Sequence, residues 1–341
     1  MEDKTKEKLI TLIQGREKLA ELLGNESVEK VNLGKLKYTG VSEGRNVFDV
    51  EGERIEADEV GLRDLLSFSN VPAPFFNRCD DTLKDNIVKR FIASEDKVVK
   101  SILINDKTMT GVVSIETPYM NAVKIYDLVT EVIPEDALLQ AQVNADRSWY
   151  WNFVTEDMAN PPKDVNDITK GGISIEYKTP QRKYGGGDTF MPRYNVGGFL
   201  YRLVCTNGLI TRTNEMETVK GNKEDDMIFE IKRLTALALK SVKEHDLKEF
   251  VRTAGVTIDD PSGWINRLAK EGKIKGALRD KLMDRVPSLA KPTTQYDLIN
   301  LITSTANEQP FTSRRKLQQV AGTSLVANCR CPQCHSSLNG K

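Results

Sequence analysis

Residues Tyr177–Asn214 read YKTPQRKYGGGDTFMPRYNVGGFLYRLVCTNGLITRTN and differ in composition from the rest of the chain. Three glycines, Gly185–Gly187, separate a short strand-like run at 173–177 from an apolar, aromatic run at 199–205. Glycine allows positive φ and close backbone approach, so the pattern predicts a glycine-rich loop between two segments. Two interpretations stay open: a plain hairpin loop between strands, or a mobile basic finger that touches phosphate.

The charge of this segment indicates what it could bind. Six of its side chains are cationic and only Asp188 is anionic, a net charge of +5 in a chain whose formal net charge is zero. Cations neutralise phosphates, and aromatic faces stack on unpaired bases. The sequence therefore predicts a groove for single-stranded nucleic acid, with these candidate contact residues: Lys178, Arg182, Lys183, Tyr184, Arg193, Tyr194 and Arg202.

The second half of the segment carries a compact motif. Periodicity does not decide whether the run at 199–205 is a strand or the start of a helix, whereas Asn207-Gly208 is a strong turn signal. Cys205 suits either a buried inert thiol or a nucleophile, and a nucleophile needs a base. Only His245 and His335 offer an imidazole, so the inert role is favoured.

Arg202, Cys205, Asn207 and Gly208 form the pattern Arg-x-x-Cys-x-Asn-Gly. This motif, with the later run Tyr296–Thr303, resembles a large family of phage- and plasmid-encoded proteins of uncharacterised function. The order of elements is similar from about residue 60 to residue 320. The resemblance implies a mobile-element origin and a role in DNA metabolism, so that DNA is favoured over RNA as a partner. It implies no mechanism.

Composition excludes several classes of protein. Hydrophobic residues make up 39% and charged residues 29% of the 341, which is typical of a folded globular chain. No apolar run approaches the ~20 residues needed to span a bilayer, and the N-terminal residues lack the apolar core of a secretory signal. Five cysteines, an odd number, do not suggest a disulfide framework. These features predict a cytoplasmic protein without a membrane partner.

The predicted fold class is α+β: a mixed, mainly antiparallel sheet with helices, followed by a helical C-terminal region. An amphipathic helix lies in residues 1–30, the α+β core in 31–220, the helical region in 221–325 and a cysteine-rich tail in 326–341. Residues 138–154 are predicted as one strand, with Trp149 and Trp151 on one face and Tyr150 on the other. Residues 227–250 are predicted as a long helix that breaks near His245, and Thr294 is the expected N-cap of a late helix.

The tail reads Asn328-Cys-Arg-Cys-Pro-Gln-Cys-His335. Cys-x-x-Cys pairs bind zinc because two thiolates grip one tetrahedral ion. The candidate ligands are Cys329, Cys331, Cys334 and His335. Four ligands within seven residues are crowded, so Cys79 or a second chain could complete the site. The alternative is a metal-free tail.

Three functions are consistent with these features. The first is a non-catalytic nucleic-acid-binding accessory of phage or plasmid DNA metabolism. The alternative is a mobile-element protein that binds a host protein or forms a homo-oligomer, which the neutral net charge and the N-terminal amphipathic helix favour. The third is a nuclease-like enzyme, although we find no familiar spacing of carboxylates for hydrated Mg²⁺.

Overall fold

The structure is a computed structural model. It describes residues 9–23, 26–104, 107–116, 118–143, 148–159, 169–178, 193–202, 209–212, 216–221, 223–274, 276–309 and 311–326. Within these ranges the chain forms two sheets and a set of helices, which confirms the predicted α+β class.

The first sheet has seven strands. In chain order they are β1 (Ile10–Thr11), β8 (Leu138–Val143), β9 (Trp149–Ala159), β10 (Thr169–Lys178), β11 (Arg193–Arg202), β12 (Leu209–Arg212) and β13 (Glu217–Thr218). The spatial order is β1-β8-β9-β10-β11-β12, with β13 also paired to β11, and every pair is antiparallel.

The second sheet has six strands in the order β2-β6-β7-β5-β4-β3. They are β2 (Glu26–Asn32), β3 (Leu36–Ser42), β4 (Arg45–Val50), β5 (Glu53–Ala57), β6 (Val98–Ile104) and β7 (Thr108–Ser114). The pair β5–β7 is parallel and the others are antiparallel. The sheet is therefore mixed and mainly antiparallel, as predicted.

Eleven α-helices lie in the described ranges. They are α1 (Leu12–Leu23), α2 (Glu59–Ser67), α3 (Ala73–Arg78), α4 (Asp81–Ile87), α5 (Ala122–Thr130), α6 (Glu224–Ser241), α7 (Leu247–Thr253), α8 (Pro261–Lys270), α9 (Gly276–Met283), α10 (Gln295–Asn307) and α11 (Phe311–Val326). A π-helical turn, Val242–Asp246, joins α6 to α7, so the helix changes geometry near His245 but is not broken there as the sequence predicted.

Each sheet has its own apolar core. Helices α1, α5 and α6 pack on one face of the first sheet, around Trp151, Ile173 and Ile231. Helices α2, α3 and α4 pack against the second sheet, and their shared core includes Phe48, Leu66 and Phe76. Helices α7 to α11 form a third core that reaches the first sheet at Leu200. The C-terminal region is helical, as predicted.

Side chains define several helix starts. The Asp58 carboxylate accepts a hydrogen bond from the Gly61 N–H at 2.8 Å and so caps α2. Thr294 caps α10, which confirms the predicted N-cap. Its hydroxyl accepts from the Asp297 N–H, while the Asp297 carboxylate accepts from the Thr294 N–H at 2.7 Å. This reciprocal capping box satisfies two donors that the helix itself leaves unpaired.

Two predicted elements were wrong in their bounds. Residues 138–154 are not one strand but the antiparallel hairpin β8–β9, in which Val143 pairs with Trp149. The intervening residues 144–147 include Asn144 and Asp146, which favour turns, and the alternation of apolar residues on either side hides the reversal. The N-terminal helix begins at Leu12 because Ile10 and Thr11 instead pair with β8.

Candidate functional site

The hairpin of β10 and β11 carries the segment that the sequence singled out. Ten consecutive residue pairs join the two strands, from Thr169 with Arg202 to Lys178 with Arg193. Lys178 and Arg193 are therefore cross-strand partners at the last step before the connection 179–192. That connection contains Arg182, Lys183 and Tyr184, which lie outside the described residues together with the three glycines.

Arg202 lies at the other end of the same hairpin. It lies nine residue steps from Arg193 along β11, which is roughly 30 Å of extended strand. Cys205, Asn207 and Gly208 follow it and lie outside the described residues. The structure thus brings Lys178 and Arg193 together and places Arg202 far from them, so the predicted contact residues do not form one cluster.

Tyr194 is placed differently from the prediction. Its side chain is 2% exposed and lies on the helix-covered face of the first sheet. The Tyr194 hydroxyl donates to the Met120 carbonyl oxygen at 2.9 Å, and burial raises its pKa far above the usual value. Its ring therefore packs in the core and presents no face to a base in this conformation. Aromatic character alone does not reveal which side of a strand a residue occupies.

Trp149 and Trp151 belong to the same buried aromatic cluster. Their rings stack at a centroid distance of 3.7 Å, and Tyr177 stacks on Trp149 at 5.7 Å. The predicted alternation is confirmed, because both tryptophans are buried on this face while Tyr150 is half-buried on the other. Tyr150 is thus the aromatic residue of this run that keeps an accessible surface.

The face that carries Tyr150 is polar rather than apolar. Strand pairing aligns its side chains in two rows across the sheet. One row runs across five strands and contains Gln142, Tyr150, Glu176, Asn195 and Thr218. The second row is parallel to it and contains Gln140, Asn152, Ser174 and Gly197. We call these nine residues the polar face.

Hydrogen bonds order the polar face. The Asn152 side-chain amide donates to the Gln140 carbonyl oxygen at 3.0 Å. The Thr218 hydroxyl donates to the Asn195 side-chain oxygen at 2.8 Å. These bonds join β8 to β9 and β13 to β11, so the side chains on both flanks of the face are held in place.

The residues of the polar face differ in how far they are buried. Glu176 is 3% exposed, and Ser174 and Asn195 are also buried, whereas Gln142, Tyr150 and Asn152 are half-buried and Thr218 is exposed. Carboxylates and carboxamides are rarely buried, because removing them from water is unfavourable unless partners replace the water. The buried members are therefore covered by other parts of the protein, whereas Gln142, Tyr150 and Asn152 keep part of their surface exposed.

The polar face adjoins the cation pair. Position 178 follows Glu176 by two residues, and position 193 precedes Asn195 by two, the spacing at which strand residues share a face. The candidate site therefore combines a polar face with a basic hairpin end. Sequence reasoning missed the polar face, although its signal was present: polar residues alternate with buried apolar ones at 140, 142, 150, 152, 174 and 176.

Two concave features lie elsewhere. A groove of about 590 Å³ in the helical region is lined mainly by apolar residues, among them Ile258, Met283 and Leu289. A cavity of about 20 Å³ lies between the two sheets and is lined by Glu26, Asp64 and Tyr119, among others. That volume is close to that of a single water molecule. Neither feature gathers a recognisable catalytic set.

The four predicted zinc ligands, Cys329, Cys331, Cys334 and His335, lie outside the described residues. Cys79, which could complete their set, is half-buried and donates its thiol hydrogen to the Phe75 carbonyl oxygen at 3.3 Å. The described part of the chain contains no group of three or more His, Cys, Asp or Glu residues placed to hold a metal. The zinc site stays a prediction.

Comparisons with known proteins leave the chain without a match. No protein-family model, no curated protein and no solved structure is significantly similar to it. The resemblance to phage- and plasmid-encoded proteins therefore stays a hypothesis based on the motif. Among the described helices, none combines the length and the apolar character that crossing a bilayer requires.

Proposed function

We propose that this protein is a non-catalytic nucleic-acid-binding accessory of phage or plasmid DNA metabolism, acting in the cytoplasm and favouring single-stranded DNA. The observation that supports it most directly is the pairing of Lys178 with Arg193 at the end of the polar face. The connection between them adds Arg182 and Lys183 in sequence. Four cationic residues therefore lie in, or directly beside, the connection at one end of this hairpin.

Electrostatics favours this end of the hairpin as the contact with phosphate. The formal net charge of the whole chain is zero, so no general attraction to nucleic acid is available and a local patch has to supply it. Phosphate contacts release counterions, which makes the affinity depend on salt. Between 50 and 200 mM salt, a protein with 6–10 phosphate contacts loses roughly 10³–10⁵ in affinity.

The test is a salt titration of binding to labelled single-stranded and duplex DNA. We expect the wild type to bind single strands with a steep salt dependence, and the double variant Lys178→Gln/Arg193→Gln to bind more weakly. Its slope of log affinity against log salt should be shallower by about 0.7 for each phosphate of a single strand that it no longer neutralises. Arg202→Gln is the matched control, since it removes one cation from the same hairpin roughly 30 Å away.

Two results would contradict the proposal. One is the absence of binding to any nucleic acid at low salt by a folded wild-type protein. The other is an equal weakening for each cation removed by Arg202→Gln and by the double variant, which would mean that binding follows total charge rather than this site.

Exposed apolar residues favour a second candidate function, assembly with another protein or with a second copy. Ile13 on α1 is 74% exposed, and Phe229 and Leu237 on α6 are 68% and 47% exposed. Isolated exposed apolar residues are common on monomers, so the observation is weaker than the hairpin geometry. A stable oligomer in light scattering, together with no affinity for DNA, would select this function instead.

We also propose that the cysteine tail binds zinc. Thiolates and an imidazole suit Zn²⁺, and structural sites use four ligands. Purified protein should then contain about one zinc per chain, or one per two chains if the site is shared. Elemental analysis of the wild type and of a Cys331→Ser/Cys334→Ser variant measures this. Equal zinc in both, or none in the wild type, would contradict it.

A further inference from the structure

We propose that β2, an edge strand of the second sheet, pairs antiparallel with β2 of a second copy of this chain. Two six-stranded sheets would then join across a two-fold axis. Two-fold dimers are the commonest oligomers, and they bring the same surface of both copies together. The proposal goes beyond the proposed function, because the pairing does not require nucleic acid.

One edge of β2 is available to a further strand. All seven of its residues pair with β6, and no described strand pairs with its other side. Val28, Glu29 and Lys30, in the middle of β2, are exposed. An edge strand presents N–H and C=O groups to which a strand of another chain can bind. The second sheet can therefore be extended at β2.

The opposite edge of this sheet, β3, is protected against such pairing. Its register with β4 shifts between Tyr38 and Gly40, and α4 packs against it. Bulges and covering helices are two ways in which proteins prevent pairing at an edge. The pairing of β2 with β6 has no register shift, and β2 contains no proline. The protection that β2 does carry is charge, at Glu29 and Lys30.

The direction of the backbone limits how a second β2 can align. The Leu33 N–H donates to the Lys97 carbonyl oxygen at 2.8 Å, so the backbone of Leu33 faces β6. Hydrogen-bonded and non-hydrogen-bonded positions alternate along an antiparallel pair. The N–H and C=O groups of Val28 and Lys30 therefore point away from β6. A two-fold axis places one residue opposite its own copy, and Val28, Glu29 or Lys30 in that position keeps most of the strand paired.

Charge distinguishes these three registers. Centring on Glu29 puts two carboxylates directly opposite each other, and centring on Lys30 does the same with two ammonium groups. Like charges at directly opposite positions are destabilising. Centring on Val28 instead places Lys30 opposite the partner's Glu26, twice by symmetry, and these opposite charges attract. The charges of β2 thus select the register centred on Val28.

The same register covers an exposed apolar side chain. Val28 is 42% exposed, and it would pack against its own copy at the centre of the pair. Removing apolar surface from water favours association. The Glu26 carboxylate already accepts a hydrogen bond from the Tyr119 hydroxyl. Because a carboxylate has several acceptor sites, it can keep this bond and still contact Lys30 of the second copy.

Cysteine substitutions identify the register. At a hydrogen-bonded antiparallel pair the two Cα atoms lie about 5.5 Å apart, which is within disulfide range. Oxidised Val28→Cys protein should therefore contain a disulfide between the two copies of position 28. Glu29→Cys and Lys30→Cys should link to themselves far less, because each lies farther from its own copy. Mass spectrometry of the linked peptide separates this disulfide from those of the five native cysteines.

Two further substitutions should weaken the dimer, as measured by sedimentation over a range of concentrations without nucleic acid. Val28→Pro removes two hydrogen bonds between copies but none to β6, so the dissociation constant should rise about 5- to 150-fold. Lys30→Glu replaces two attractive pairs by two repulsive ones and should raise it roughly 4-fold or more. Lys37→Glu is the matched control, since it makes the same charge change at an exposed position of β3 and should have no effect.

Three results would overturn the proposal. The first is a folded wild type that stays monomeric at every concentration and whose Val28→Cys variant forms no disulfide at position 28. The second is a dimer that both Val28→Pro and Lys30→Glu leave intact, which would place the contact elsewhere. The third is a disulfide at position 29 or 30 in preference to 28. If Val28→Pro does not fold, Lys30→Glu and the cysteine comparison decide the question.

Discussion

Asp64 shows how burial changes the chemistry of a single residue. It lies on α2 and lines the small cavity between the two sheets, next to Gly111. Burial raises the pKa of Asp64 to about 7, although Arg63, which binds its carboxylate at 3.1 Å, acts in the opposite direction. A hydrogen bond from the Val112 backbone also favours the ionised form, and Asp58 disfavours it.

This raised pKa predicts a loss of stability as the pH increases. Between about pH 4 and pH 7 the unfolded chain ionises Asp64 while the folded chain keeps it protonated, so the folded state binds more protons. The free energy of unfolding should therefore fall across this window and level off above it. The shift from 3.8 to about 7 corresponds to at most roughly 4 kcal/mol.

Asp64→Asn should remove this contribution. We expect the variant to gain more stability relative to wild type at pH 8 than at pH 5, as measured by urea denaturation at both values. The exposed residue Asp136 provides the control, since Asp136→Asn should change stability equally at the two pH values. A gain at pH 8 no larger than that at pH 5 would refute the assignment.

The packing of α2 on β7 depends on one glycine. A Cβ atom added at Gly61 would lie 2.2 Å from the Met109 carbonyl oxygen, which belongs to the strand backbone and has no room to move away. The Asp58 N–H donates to the same carbonyl oxygen at 3.0 Å, so the start of the helix is tied to the strand. Close approach of helix and strand therefore requires glycine at this position.

Gly61→Ala should destabilise the fold even though alanine favours helices. Alanine gains up to ~1 kcal/mol in helix propensity, while overpacking of this kind costs typically 1–3 kcal/mol. Because the contact is with backbone, we expect the cost to exceed the gain. Gly255→Ala is the control: its nearest contact would be an ordinary 3.6 Å, so the stability should change by less than about 0.5 kcal/mol. Thermal unfolding of both variants measures the difference.

At the scale of the whole molecule, two sheets with separate cores meet at a polar junction. The Tyr119 hydroxyl donates a hydrogen bond to the Glu26 carboxylate, joining the segment before α5 to β2 of the second sheet. Burial, and then the Glu26 charge, raise the pKa of Tyr119 well above its usual value, so it stays a donor at physiological pH. The hydroxyl therefore keeps its proton to higher pH than an exposed tyrosine.

Local signals in the sequence predicted local structure well. Thr294 as a cap and the change of helix geometry near His245 both depend on neighbours within a few positions. The order of strands was not predictable, because β1 pairs with β8 across more than a hundred residues. The alternation of polar residues on β8, β9 and β10 was readable in the sequence, but the alignment of the polar face into rows across five strands was not, for the same reason.

The candidate site was predicted in part. The glycine-rich loop indicated a hairpin, and the pairing of Lys178 with Arg193 follows from it. The separation of Arg202 follows from the length of β11, which composition does not specify. Tyr194 and Tyr150 have the same kind of side chain, and only the sheet shows that one is buried and the other half-buried.

The ten-pair ladder between β10 and β11 has an evolutionary consequence. Because Lys178 and Arg193 are paired, the two residues that flank the connection 179–192 lie about 5 Å apart. Lengthening a loop whose ends are already fixed costs little, roughly 0.6 kcal/mol for each doubling. Related genes could thus exchange or extend this connection, and so change what the hairpin recognises, without altering the sheet that supports it.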